Sequence, residues 1–246
     1  MNTLSDDFDA IVEDFDDELD LTLYADATEL TVEVTAQALA MIEKSLKVQS
    51  EFHLVLTGGS LGQSISEGLV QEFNAELDGF NGLHIWWSDE RFVATESADR
   101  NASIFQKKLL NTNVVVHQVP ARDQVERIED SLAIFEKSLK GISLDLNILG
   151  VGPDGHVASL FPGLTDIDDQ REVIAITDSP KPPVERISFT MATINRAREV
   201  WIVAAGEGKS DAVTKIIEAD LSIPASYVRG SNHTRLIVDT EAFFTE

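Results

Sequence analysis

The sequence predicts an α/β fold: a mostly parallel, doubly wound sheet with helices on both faces. Three observations lead there. Short runs of Val, Ile and Leu alternate with stretches whose apolar residues recur every three or four positions, the signature of strands buried on both faces and of amphipathic helices. With 246 residues and 43% hydrophobic content, the chain is long enough and apolar enough for one substantial core. No internal repeat and no linker divides it.

Taken in order, residues 1–20 read as an acidic, flexible extension and 21–246 as one α/β domain. Between Asp6 and Asp20, Phe8, Ile11, Val12, Phe15 and Leu19 are interleaved with nine carboxylates. Repulsion among these charges favours a solvated tail, and an acidic–aromatic docking segment is the alternative. Residues 26–48 read as a helix with Leu30, Val34, Met41 and Ile42 inward. Strands follow at Phe52 to Thr57, Leu83 to Trp87, Val114 to His117 and Leu144 to Leu149. Between Asp123 and Lys140, Val125, Ile128, Leu132, Phe135 and Leu139 form one helical face. Later strands are expected at Glu172 to Thr177, Ile187 to Met191, Val200 to Ala205 and Leu236 to Val238, with a helix over Ser210 to Ala219.

Composition excludes several functions. Without cysteine there is no disulfide scaffold, thiolate metal site or Cys nucleophile. Against 43 Asp+Glu stand 19 Lys+Arg, a formal charge of −24 that opposes binding to nucleic acid or anionic lipid over a broad surface. That charge is uneven, because thirteen acidic residues and no Lys or Arg precede Lys44. Residues 1–20 lack a basic segment followed by an apolar one, and no apolar run approaches the ~20 residues of a membrane helix. A cytoplasmic protein is expected, monomeric or a small homo-oligomer.

Ligands of doubly wound folds bind at the carboxyl ends of the strands, and four loops there are unusual. Gly58-Gly59-Ser60 follows the strand Phe52 to Thr57; its free N–H groups and the helix dipole suit an anion, with Ser60 as the expected N-cap. Asp89-Glu90-Arg91 follows the next strand, with Asp99-Arg100-Asn101 beyond it, and Arg91 offers a planar fork for phosphate. Gly150-Val151-Gly152-Pro153-Asp154-Gly155-His156 follows Leu144 to Leu149. Its glycines match G-x-G-x-x-G, but Pro153 within the loop and Pro162-Gly163 beyond it leave no room for the crossover helix of a dinucleotide site. His156 lies near Asp154, and because an ordinary imidazole titrates near neutrality it suits a general base. The fourth place combines Ser179-Pro180-Lys181-Pro182-Pro183, Glu185-Arg186 and Gly206-Glu207-Gly208-Lys209, cations in a chain short of them.

Together these loops resemble the 6-phosphogluconolactonase family, within the glucosamine-6-phosphate isomerase superfamily. The run from Leu149 through Asp154-Gly155-His156 to Ala158-Ser159-Leu160-Phe161-Pro162-Gly163 is the most specific match, and Ser179-Pro180-Lys181-Pro182-Pro183 with Glu185-Arg186-Ile187 is next. The likeness spans roughly residues 22–240. Two departures stand out: Leu61-Gly62 replaces a usual Thr-Pro, and Pro153 replaces a common acidic residue. The isomerase branch carries a glutamate before proline and Asp-Glu-Tyr, where this chain reads Ser159-Leu160-Phe161-Pro162 and Asp89-Glu90-Arg91.

The resemblance implies a Rossmann-like fold of this superfamily's type and hydrolysis of 6-phosphogluconolactone, a small sugar phosphate, without cofactor or metal. His156 is then the expected base, oriented by Asp154, with Gly58, Gly59, Ser60, Asp89, Arg91, Arg186 and Lys209 expected to bind substrate. The groups that stabilise the oxyanion are left open. Two alternatives are an isomerase/deaminase activity, disfavoured by the missing glutamate, and a sugar-phosphate sensor, disfavoured because residues 1–43 contain no basic DNA-binding segment.

Overall fold

In the computed structural model, residues 19–244 are described. The acidic extension expected over 1–20 lies outside the described residues as far as 18, while Leu19 and Asp20 open the first strand. That strand, β1 (Leu19–Tyr24), was not expected, although its alternation of leucine with Asp20 and Thr22 is the period of a half-buried strand. The sequence then folds as α1 (Ala27–Leu46), β2 (Phe52–Leu56), α2 (Gly59–Ala75), β3 (Leu83–Trp87), β4 (Asp89–Arg91), α3 (Ser103–Lys108) and β5 (Val115–Val116). It continues with α4 (Ile128–Leu139), β6 (Leu146–Gly150), β7 (Val173–Ile176), β8 (Arg186–Phe189), α5 (Met191–Arg196), β9 (Glu199–Ala204), α6 (Ser210–Ile217), β10 (His233–Asp239) and α7 (Thr240–Phe243).

Seven strands form one sheet in the order β1-β10-β9-β6-β2-β3-β5, and every neighbouring pair is parallel. Successive residues serve opposite faces. Leu54 and Leu56 pack with α1 and α2 (Leu30, Val34, Ile42, Ile65, Leu69, Phe73), whereas Val55 packs on the side of α4 and α6 (Phe135, Leu139, Val213, Ile216). Asp26 starts α1 by accepting from the N–H groups of Thr28 and Glu29 at 2.8 and 2.9 Å.

Two expectations need correction. The stretch from Asp123 to Lys140 becomes helical only at Ile128, because Arg127 is extended and the preceding residues form a turn in which the Gln124 side chain accepts from the Ala121 N–H at 2.8 Å. Asp89–Arg91 is not a loop. It is an edge strand of a second, antiparallel sheet, β4-β8-β7, with Asp89 opposite Ser188 and Arg91 opposite Arg186. This small sheet stands beside the carboxyl ends of the main one and brings two arginines from opposite halves of the chain together.

Candidate active site

Between β6 and β7 no helix forms, as the prolines implied. The chain instead folds back on itself: the Gly152 N–H donates to the His156 carbonyl at 2.8 Å, and that of Gly155 to the Gly152 carbonyl at 2.9 Å. The reversal sets His156 against Asp154, with imidazole Nδ1 in a very short hydrogen bond to Asp154 Oδ1. Gly152 is required by proximity, because a Cβ there would overlap the imidazole at Cε1 and Nδ1. The ring stacks on Phe161 at 4.7 Å between centroids, and its side chain keeps 17% exposure.

The electrostatics favour a neutral imidazole beside an ionised carboxylate. Burial lowers the His156 pKa, and the hydrogen bond and charge of Asp154 only partly restore it. Burial would raise the Asp154 carboxyl, but the hydrogen bond from His156 and the ammonium of Lys181 outweigh it and leave its pKa at about 2. Asp154 then accepts, so the proton resides on Nδ1 and the lone pair of His156 is on Nε2.

His156 lines a cavity of about 900 Å³ together with Gly58, Gly59, Ser60, Asp89, Arg91, Arg186 and Lys209. The structure therefore gathers the expected residues, apart from Asp154 behind the imidazole, around one space. Their roles differ in detail. Gly58, not Ser60, is the N-cap of α2; no side chain caps this end and its first turn holds no acidic residue. Ser60 thus contributes a first-turn N–H beside Gly59, whose φ of 78° suits glycine. Gly62, where the family usually has proline, lies so close to the Thr57 carbonyl that a Cβ would collide with it.

Asp89 is 6% exposed and accepts from Ser159 Oγ at 2.6 Å and from Asn101 Nδ2 at 3.1 Å. Its carboxylate is 3.7 Å from Arg186, itself 4% exposed. Arg186 donates to the carbonyls of Pro183 and Lys181, each at 3.0 Å, and to Ser159 Oγ at 3.4 Å. These two residues therefore brace the 179–185 loop as well as face the cavity. Arg91 Nη1 donates to the Asp99 carbonyl at 2.5 Å. Burial lowers the Lys209 pKa, and the neighbouring charge of Lys181 adds to this.

Lys181, Asn101 and Ser159 were not singled out individually. Lys181 and Ser159 lie within the quoted motifs, and Asn101 ends the run Asp99-Arg100-Asn101 given with the second loop; its side chain fills the space that a Cβ on Gly58 would need. Among the described residues, one group could converge on a metal, Glu51, His53 and His84. It does not line this cavity, and His53 Nδ1 already accepts from Trp86 Nε1 at 3.0 Å.

Comparison with known proteins shows the family. The family model described as glucosamine-6-phosphate isomerases/6-phosphogluconolactonase matches residues 25–238. A 6-phosphogluconolactonase of Streptomyces coelicolor is 32% identical, covering 90% of this chain and 92% of that protein. The enzyme of the same name from Mycobacterium tuberculosis is 30% identical over 90% and 96% of the two chains. A solved 6-phosphogluconolactonase from Thermotoga maritima superposes with a TM-score of 0.78 at 27% identity, covering 91% of this chain and all of that one. The chain belongs to the glucosamine-6-phosphate isomerase/6-phosphogluconolactonase family.

Proposed function

We propose that this chain is a 6-phosphogluconolactonase, hydrolysing 6-phosphoglucono-1,5-lactone to 6-phosphogluconate in the oxidative pentose phosphate pathway. The observation that carries the reading is His156, held through Nδ1 by Asp154, in a cavity that also contains Arg91, Lys209 and the uncapped start of α2. These cations and N–H groups suit the remote phosphate, and anchoring it there positions the ester near His156.

The reaction then balances without a cofactor. Water oxygen bonds to the lactone carbonyl carbon while His156 Nε2 takes its proton and the carbonyl pair moves to oxygen. The adduct collapses by breaking the bond to the ring oxygen, which receives the proton back from the imidazolium. Asp154 stabilises that imidazolium and fixes its orientation. The isomerase reading lacks its glutamate, since Leu160-Phe161-Pro162 offers no carboxylate at that place.

The test is hydrolysis of freshly prepared lactone by the purified protein, in the presence of EDTA and against the spontaneous rate. Strong acceleration is expected, with kcat lowered ~10²–10⁴-fold in His156→Ala. No acceleration over the blank removes the assignment, and full turnover in His156→Ala removes the base.

A further inference from the structure

The cations around the cavity are not equivalent. Arg186 is tied to backbone carbonyls of its own loop, and Arg91 to Asp99. Lys181 reaches the His156–Asp154 pair itself: its Nζ is 3.1 Å from Asp154 Oδ1 and 3.3 Å from His156 Nδ1. Two donors thus converge on one carboxylate oxygen. An ammonium has no lone pair, so it cannot accept from Nδ1–H. It acts on the pair through Asp154 Oδ1, which it helps to keep ionised and so an acceptor for Nδ1–H.

Lys181 is itself held. Its carbonyl accepts from Arg186 Nη2 and from Ser179 Oγ, each at 3.0 Å, and its N–H donates to Ser179 Oγ at 3.3 Å. The stem reaches past Phe161, with Nζ 5.9 Å from the ring centroid. The buried Arg186, braced by Asp89 from the facing strand, therefore sets where this ammonium sits.

We propose that Lys181 is a positioning residue for the hydrolysis: its ammonium, bonded to Asp154 Oδ1 and 3.3 Å from His156 Nδ1, keeps Asp154 an acceptor for the ring and opposes protonation of the ring before substrate arrives. This rests on the lactonase reading given above. The charged groups around His156 are Asp154 on its own loop, Asp89 from β4, Lys181 from the 179–185 loop, and, on the same cavity wall, Arg91, Arg186 and Lys209. Burial is the main cause of the lowered His156 pKa; among the charges, Asp154 and Asp89 favour the imidazolium and Lys181 opposes it.

The experiment compares Lys181→Met and Lys181→Arg with the unsubstituted chain by two readouts: the ¹⁵N titration of the His156 ring by NMR, and kcat/KM against pH. A like charge within ~4–6 Å disfavours protonation. In K181M the ring pKa and the acid limb of kcat/KM should therefore both rise by about half to one unit, a three- to tenfold loss well below the limb. K181R should restore most of the shift. An unmoved ring titration and limb in K181M, whatever its kcat, overturns the proposal, as does equal displacement by K181M and K181R. The ring titration does not depend on turnover, so failure of the lactonase reading would appear separately, as no hydrolysis by the unsubstituted chain.

Discussion

Gly152→Ala tests the geometry of the base most directly. Gly152 is not among the glycines with positive φ, so the main perturbation is the new methyl group. At its ideal position this methyl overlaps His156 Cε1 and Nδ1 and lies 2.6 Å from Asp154 Oδ1. Ordinary carbon contacts are about 3.5–4 Å, so the ring must withdraw by more than about 1 Å. A displacement of that size costs ~10²-fold when a reacting group is held in line, and losing a positioned base altogether costs ~10²–10⁴-fold. The expectation is a fall in kcat of ~10²–10³, about 3–4 kcal/mol of barrier, with KM changed only a few-fold because the start of α2 and Lys209 are untouched. Steady-state hydrolysis of fresh lactone measures both, and circular dichroism checks that the fold survives. A double-mutant cycle sharpens the test: in a His156→Ala background the added methyl has no ring to displace and should cost almost nothing. A kcat for G152A within threefold of the parent, or a further hundredfold loss in the double variant, would refute the reasoning.

Two further expectations concern stability. Arg100 and Glu90 are each 1% exposed and pair at 3.8 Å, while Glu90 also accepts from the N–H groups of Arg91, Asn101 and Ala102. Arg100→Met should cost about 3 kcal/mol in urea denaturation, the low end for a broken buried pair because burial already pushes the Glu90 carboxyl toward its neutral form. Adding Glu90→Gln should return part of the loss, and an R100M chain as stable as the parent would dismiss the pair. His117 stacks on Trp86 at 3.7 Å and shares a 2.8 Å hydrogen bond with His84; burial, then the charges of His84 and His53, lower its pKa to about 4. The unfolded chain, with histidines near 6.5, binds the proton first, so this stability is complete above about pH 6.5 and lost as pH falls toward 4. After discounting for partial exposure the loss is about 2–3 kcal/mol, and His117→Gln should flatten the pH dependence of urea midpoints across that window. An equal slope in the variant would assign the acid sensitivity elsewhere.

Much of the fold was legible because buried parallel strands announce themselves. Phe52 to Leu56 and Leu83 to Trp87 are short apolar runs flanked by turn residues, and each lies where its composition indicated. β1 was missed because Asp20 and the preceding carboxylates outweighed a visible alternation of leucines. β4 was illegible for a different reason. Three charged residues have no strand propensity of their own and are extended only because β8, almost a hundred residues later, supplies the ladder. The site shows the same division. The local reversal that sets His156 on Asp154 lies within seven residues and could be read from its glycines. The packing of Asn101 against Gly58, and the brace from Asp89 through Arg186 to the Lys181 carbonyl, join distant segments and leave no pattern in any one of them.

The excess of negative charge is consistent with an anionic substrate for a more specific reason than its concentration near the amino terminus. The cavity lining itself contains Arg91, Lys181, Arg186 and Lys209, but also Asp26, Asp89, Asp239 and Glu241, so by simple counting it is neutral. What matters is what each carboxylate already holds. Asp26 accepts from the N–H groups that open α1, and Asp239 from those of Gly206 and Ala242 at the start of α7. Asp89 faces Arg186, Ser159 and Asn101. Three of the four acids are thus directed at donors of the protein and offset local positive ends, whereas the opening turn of α2 has no capping side chain and no acidic residue. The proposed phosphate position is therefore that turn, with Lys209 on the same cavity wall. A protein of formal charge −24 can therefore hold a dianion without a basic surface, because its carboxylates are committed to helix starts and to one arginine before substrate arrives.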